Sequence, residues 1–417
     1  MITKLFRRPS VTARLMQSPA APFLDGLVLG LQEQGYSAET IKHYVLCAER
    51  FCQWLDEQRL AFTDVNETLV NRYTTGLPRR IRPACPNGIP HKHAGGLFHL
   101  VAVLRQAHVI PPLQPPTPAT EGERWLARYG NHLDQRQGAA WSTRRKCLHY
   151  VRRLIEFRFP GADPDWSALD ACDIVNFLAG QACHGKGAVK TAASAVRSLL
   201  RFLVLEGAVR PGLEAAVPPL PRWRLSGLPP YLTTKQVDHI LKVCRQSSKS
   251  PSRNTAVLLL LARLGLRADE VAGLQFRDVD WREGVIRIRS HKSRRERQLP
   301  LPAEVGLAVA EYLRESRPAS PSRSIFVHGH APFRSLRNSG VGGIARRALK
   351  LAGIVVPRPG AHVFRHTVAT RMIRRGATLP QVAEVLGHLD LETTALYAKL
   401  DLATLSVVAM PWPGGGQ

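Results

Sequence analysis

Long apolar runs are missing from this 417-residue chain. Nowhere do about 18 apolar residues follow one another, so the sequence offers no membrane-spanning helix. The basic start, MITKLFRRPS, is not followed by a continuous apolar segment, and a cytoplasmic protein is expected. Cysteine is sparse: seven residues from Cys47 to Cys244, an odd number without repeated spacing, which reads as reduced thiols and not as a disulfide framework. Cys85, His91 and His93 lie close in sequence but have no fourth ligand nearby, so chance outweighs zinc there. Acidic residues are also few, 32 Asp and Glu against 58 Lys and Arg, for a formal net charge of +26. That excess is more than solubility asks for and points to a polyanionic partner whose binding falls with salt.

The length allows two to four domains of roughly 100 to 200 residues. Residues 1–20 carry Lys4, Arg7, Arg8 and Arg14 with little periodicity and read as a basic arm. Helical spacing begins near Phe23, with Ile41, Tyr44, Val45, Cys52 and Leu55 on one face and Ser37 as a candidate N-cap, giving an all-helical module over 21–110. Residues 111–120, PPLQPPTPAT, cannot continue a helix and form a linker. A second helical unit over 121–210 loosely repeats the order of the first, as a duplicated four-helix module would. A second Pro-rich linker covers 211–230, and the last domain runs over 231–409 with a tail at 410–417. In that domain Thr233 and Gln236 have capping-box spacing, GVIRIRS and RERQLPL flank HKSR as a hairpin, and SIFVH from Ser324 is a candidate third strand.

The most informative stretch is 362–397, HVFRHTVATRMIRRGATLPQVAEVLGHLDLETTALY. His362 and Arg365 stand three apart and share a helix face, while Val363, Phe364, Val368, Met372 and Ile373 pack inward. PQVAEVL ends at Gly387, with His388 just beyond, and Tyr397, the last tyrosine, follows nine residues later. Upstream, LGLRADEVAGL supplies Arg267 with Glu270 three residues on. Together these intervals resemble the tyrosine recombinases of the phage-integrase superfamily, a resemblance that covers about residues 225–400.

The resemblance implies a mainly α fold: helical core-binding (SAM-like) modules, then an α+β catalytic domain with a small antiparallel sheet. It implies DNA cleavage through a 3′-phosphotyrosine, without metal, ATP or any other cofactor, on double-stranded DNA and within a tetramer of recombinase protomers. Tyr397 is then the nucleophile. Arg267 and Arg365, permanently charged planar forks, suit the phosphate clamp better than lysine would. The acid for the departing 5′-oxygen must give up a proton, which arginine does not, and Lys292 is the single lysine of the hairpin, with His291 the other candidate at that turn. His362 is a base or phosphate donor, His388 a donor to a non-bridging oxygen, and Glu270 orients an arginine or closes the hairpin side. His366 reads as structural. Asp390 and Glu392 read as helix-surface acids, so no carboxylate cluster suggests magnesium.

The 121–210 unit resembles the family's core-binding domain, and Arg144, Arg145, Lys146, Arg152, Arg153, Lys190, Arg197 and Arg201, with His149 and Lys186 beside them, are its candidate phosphate contacts. The apolar tail after Tyr397 would dock on a neighbouring protomer. The rival is an accessory DNA-binding protein that keeps the fold without the chemistry, or a topoisomerase of the same mechanism that chooses no site.

Overall fold

The computed structural model describes residues 1–76, 91–113, 120–219, 229–247, 250–289, 296–387 and 397. By contact the chain divides into two units, Leu113–Trp223 on one hand and Met1–Pro112 with Arg224–Gln417 on the other.

The N-terminal stretch is not the arm expected from its charge. It forms α1 (Ile2–Leu5) and α2 (Pro9–Gln17), whose Ile2 and Leu15 are buried in a core shared with α3 (Ala21–Glu33), α4 (Ala38–Glu57), α5 (Glu67–Gly76) and α6 (His91–Gln106). Arg14 donates to the buried carboxylate of Glu49 on α4, so one of the basic residues of the start serves as an internal partner. Two buried aliphatic anchors contribute about 3 to 6 kcal/mol of transfer free energy, which is enough to hold a short amphipathic segment. Ser37 caps α4 by accepting from the Thr40 N–H at 3.3 Å.

The second unit consists of α7 (Glu121–Gln135), α8 (Trp141–Arg158), α9 (Ala171–Gly180) and α10 (Lys186–Leu205) around a core that includes Tyr129, Leu154, Trp166, Phe177 and Phe202. Its α7 and α9 start on Thr120 and Asp170, whose side chains accept from the backbone N–H three residues on. The stretch after 210 is shorter as a linker than its prolines suggest. Val217 is buried in this core, Leu213 packs on it, and Arg197 donates to the carbonyls of Val217 and Pro218 at 3.2 and 2.8 Å.

The last domain is built on α12 (Pro251–Leu264), an apolar helix buried on nearly every face because α11 (Thr234–Ser247), α14 (Ala303–Glu311), α15 (Asn338–Leu351) and α16 (Ala361–Arg374) pack around it. Thr233 and Gln236 form the expected reciprocal cap of α11 at 3.2 and 2.9 Å. After α12 come the short α13 (Ala268–Gly273) and a three-stranded antiparallel sheet, ordered β1 (Val279–Asp280), β2 (Val285–Arg289), β3 (Glu296–Pro300). The third strand is therefore β1 and not the SIFVH segment, which makes only isolated bridges, Gln275 to Ser324 and Val327 to Ser335. A two-residue strand leaves no alternation for a sequence to display. In the hairpin Ile286 pairs with Leu299 and Ile288 with Arg297. Cross-strand partners share a face, so Arg297 stands on the inward side with Ile286, Ile288 and Leu299. Last, α17 (Leu379–Leu386) starts on Thr378 and ends at Gly387 in the left-handed conformation.

Candidate active site

Two helix C-termini meet here, each exposing carbonyl oxygens that no later turn satisfies. The first is the end of α12, where Gly265 adopts φ +63°. A Cβ at Gly265 would fall 2.7 Å from Leu386 and 3.2 Å from Val368, so close helix packing and the backbone turn both require glycine. The second is the end of α17, where Gly387 has φ +64°.

Both arginines of the expected clamp are fixed by these ends. Arg365, 8% exposed, donates to Gly265 O at 2.8 Å and to Leu386 O at 2.6 Å. Arg267, two residues past Gly265, donates to Gly387 O at 2.8 Å and to Glu270 at 2.9 Å. A guanidinium has five N–H groups, and these contacts use two on each arginine. Cations also sit favourably at the negative ends of helix dipoles.

Glu270 is buried at the centre. It accepts from the Arg267 backbone N–H at 2.8 Å, which caps α13, and from Arg297 at 3.0 and 2.9 Å in a two-pronged contact. Burial pushes its carboxyl pKa up, but the hydrogen bonds and charge of Arg297, then those of Arg267, outweigh it and hold the group below the usual carboxylate range. Arg297 also donates to Val385 O at 3.1 Å and so ties the hairpin to α17. Two guanidinium groups hold this carboxylate and a third, Arg365, feels its charge, so the site keeps an uncompensated positive charge suited to a phosphodiester. The strain shows at Arg365, whose pKa is lowered to about 10 by burial and by its neighbour Arg267, with Arg297 adding to the effect. It stays charged at neutral pH.

Tyr397 lies in a small apolar cluster with Val368, Ala369, Ile373, Val382 and Leu386, 2% exposed. Burial pushes its hydroxyl up to about 12, against the pull of Arg365. Its hydroxyl is 2.6 Å from Nδ1 of His366, and the two rings are 5.7 Å apart. His362 stands one turn earlier on α16, with its ring 5.9 Å from that of His366. Burial, with the charge of Arg358, lowers the pKa of His362 against an opposing hydrogen bond to the Arg358 backbone. Burial, then His362 and Arg365, lowers His366 to about 4.

Arg267, Glu270, His362, Arg365 and Tyr397 are therefore gathered around the ends of α12 and α17. Lys292, its alternative His291, and His388 lie outside the described residues, as do Cys85 and the tail after Tyr397. Among the described residues no group of three His, Cys, Asp or Glu side chains converges as metal ligands would.

Two residues at this site were not assigned from the sequence. Arg297 was one of several hairpin arginines, although its phase with Leu299 marks it as inward-facing. His366, read from the sequence as structural, lies 2.6 Å from the tyrosine hydroxyl, and its position four residues after His362 is the signal for a shared face.

Among the cations of the second unit, Arg145, Lys146, Arg152, Lys190 and Arg201 are exposed. Arg145 stacks on the exposed Trp141 at 5.1 Å, Arg144 is paired with Asp134 at 2.7 Å, and Arg153 contacts His184 at 3.4 Å. Arg197 is engaged by the two carbonyls described above.

Residues 230–403 match the Phage integrase family. The Sinorhizobium fredii protein named "Putative integrase/recombinase y4rA" is 35% identical over 408 residues, 97% of each chain. The tyrosine recombinase XerC of Thermodesulfovibrio yellowstonii is 28% identical over 69% of this chain and 95% of its own. Among solved structures, the XerH site-specific recombinase bound to palindromic difH substrate aligns with a TM-score of 0.54 at 18% identity, over 72% of this chain and 98% of the other. The Tn1549 transposon integrase in complex with a circular intermediate DNA aligns with a TM-score of 0.52 at 17% identity, over 68% of this chain and 99% of the other. These likenesses concern the fold.

Proposed function

The chain belongs to the phage integrase family and is a tyrosine recombinase, and we propose that it cuts DNA by attack of the Tyr397 hydroxyl on a backbone phosphate, leaving a 3′-phosphotyrosine and a free 5′-hydroxyl. The observation that carries this assignment is the seat of Tyr397: its hydroxyl is 2.6 Å from an imidazole and its ring packs against the helices that hold the two arginine forks.

Arg267 and Arg365 grip the non-bridging oxygens and take up the charge that builds on the pentacoordinate phosphorus. His362 and His388 donate to the same oxygens, and Lys292 protonates the departing 5′-oxygen. Glu270 acts through Arg267, whose fork it aims. The two non-bridging oxygens and the departing 5′-oxygen thus each have a cation or a donor, and the phosphotyrosine stores the energy of the broken linkage. A 5′-hydroxyl from another strand reverses the step without ATP.

The exposed cations of residues 121–210, Arg145, Lys146, Arg152, Lys190 and Arg201, track the phosphate backbone as a core-binding domain does. The full reaction takes four protomers on two duplexes, and a mobile DNA element is its setting, with a cytoplasmic location. The likeness in fold to XerH bound to palindromic difH substrate and to the Tn1549 transposon integrase in complex with a circular intermediate DNA supports the DNA-binding part of this reading.

A nicked suicide duplex that loses a short 5′-fragment tests the proposal. Wild-type protein accumulates a covalent adduct that survives denaturing electrophoresis, and Tyr397→Phe accumulates none. An adduct formed equally by both proteins, or by neither, overturns it.

A further inference from the structure

We propose that His366, and not His362, is the base that takes the phenolic proton of Tyr397 as the bond to phosphorus forms. The inference rests on Tyr397 being the nucleophile and assigns the proton that the nucleophile must lose.

Among the described residues His366 is the group within hydrogen-bond distance of the Tyr397 hydroxyl, at 2.6 Å. A ring with its proton on Nε2 presents a lone pair on Nδ1 and accepts from the phenol. The need for an acceptor is acute, because burial holds the phenol at about 12 and little phenolate forms unaided. His366 is available by its charge state, and it is a weak base until the phosphate is bound. Burial, His362 and Arg365 keep it at about 4, so at neutral pH the lone pair is free. An imidazolium would donate to the phenol oxygen and oppose attack.

His362 lies with its ring 5.9 Å from that of His366. The work is then divided between the two histidines: His366 is in contact with the nucleophile, and His362 is left to the phosphate. The phosphodiester itself completes the arrangement, since its negative charge raises the affinity of the nearby imidazole for a proton.

The Tyr397 oxygen forms its bond to phosphorus while its proton passes to Nδ1 of His366. The bond from phosphorus to the 5′-oxygen breaks, and that oxygen takes a proton from the acid assigned to Lys292. In rejoining, the 5′-hydroxyl attacks phosphorus and gives its proton to the now neutral amine of Lys292, while the bond from phosphorus to the Tyr397 oxygen breaks and the His366 imidazolium returns its proton to the leaving phenolate.

The test uses the full-length protein and measures single-turnover adduct formation with His366→Gln and His366→Ala on two suicide duplexes. One carries an ordinary scissile phosphate. The other has sulfur in place of the bridging 5′-oxygen, a leaving group that needs no acid. Both variants are expected to bind DNA as the wild type does and to form adduct about 10²- to 10⁴-fold more slowly on both duplexes. Lys292→Ala should be slow on the oxygen substrate and restored on the sulfur one, which separates the two ends of the reaction. The glutamine variant decides if the alanine variant does not fold, because glutamine keeps the hydrogen bond but does not act as a base. Adduct formation by His366→Gln within about threefold of wild type makes His366 a positioning residue only and overturns the inference. Restoration of His366→Gln by the sulfur substrate overturns it as well. Failure of the wild type itself to form a Tyr397 adduct defeats the nucleophile assignment, and this inference with it.

Discussion

Arg297 reaches across from β3 to grip both carboxylate oxygens of Glu270, at 3.0 and 2.9 Å, while the same carboxylate holds Arg267. One buried acid thus aligns two guanidinium groups from different elements, and replacing it should be costly twice over.

Glu270→Gln leaves those cations facing a neutral amide. A loss of about 3 to 5 kcal/mol is expected on chemical denaturation, as for a buried pair with one partner removed. The pH dependence has a definite sign. The folded carboxyl has a lower pKa than the unfolded one, so its stabilisation is complete above the usual carboxylate range and is lost as pH falls through the folded value. Melting curves taken in acid should show wild type and Glu270→Gln converging as pH drops.

Gly387→Ala should impair the site without removing any charged group. The left-handed φ of +64° disfavours any side chain, and the new Cβ would come 2.5 Å from Nη1 of Arg297, which is pinned by Glu270 and Val385. Destabilisation of about 1 to 3 kcal/mol is expected, with slower adduct formation and unchanged DNA affinity. Thermal melts and binding isotherms on the same preparation check both.

Arg267→Lys keeps the charge and loses the fork that spans Gly387 O and Glu270. Single-turnover cleavage should fall by about 10²-fold, while binding to an intact duplex stays close to wild type. Equal losses in both measurements would place Arg267 in general DNA attraction instead.

Arg152→Ala and Arg197→Ala should differ in kind. Arg152 is exposed on α8, and its loss should weaken binding across sequences and reduce the slope of log affinity against log salt by about 1. Arg197 is spent on Val217 and Pro218, so its loss should lower the melting temperature with little change in that slope.

What the sequence disclosed and what it withheld follow from the range of the interactions. Periodicity and caps are local, so α4, α11, α16 and the hairpin were readable from Ser37, Thr233, the α16 apolar stripe and the alternation around Ile286 and Ile288. The Gly-Leu-Arg segment was readable as a motif, but the reason for its glycine, contact with Leu386 and Val368, lies more than a hundred positions away. Arg297 escaped notice because its partner sits across 27 positions and because neighbouring arginines carry the same charge. The fate of residues 1–17 was hidden for a similar reason: only the core they share with α3 to α6 shows that Ile2 and Leu15 have somewhere to go.

The pairing of Ile288 with Arg297 has a bearing on how such a hairpin can change over time. Lengthening or shortening the connection between Arg289 and Glu296 leaves the phase of β3 alone, provided the two strands keep their partners. A single residue gained or lost between Arg297 and Leu299 reverses the facing of one relative to the other, so that either the aliphatic residue or the guanidinium turns to solvent. Drift at the tip therefore spares the Glu270 contacts, although it moves Lys292, whereas two residues into the returning strand an error would unseat Glu270 and, through it, the aim of Arg267.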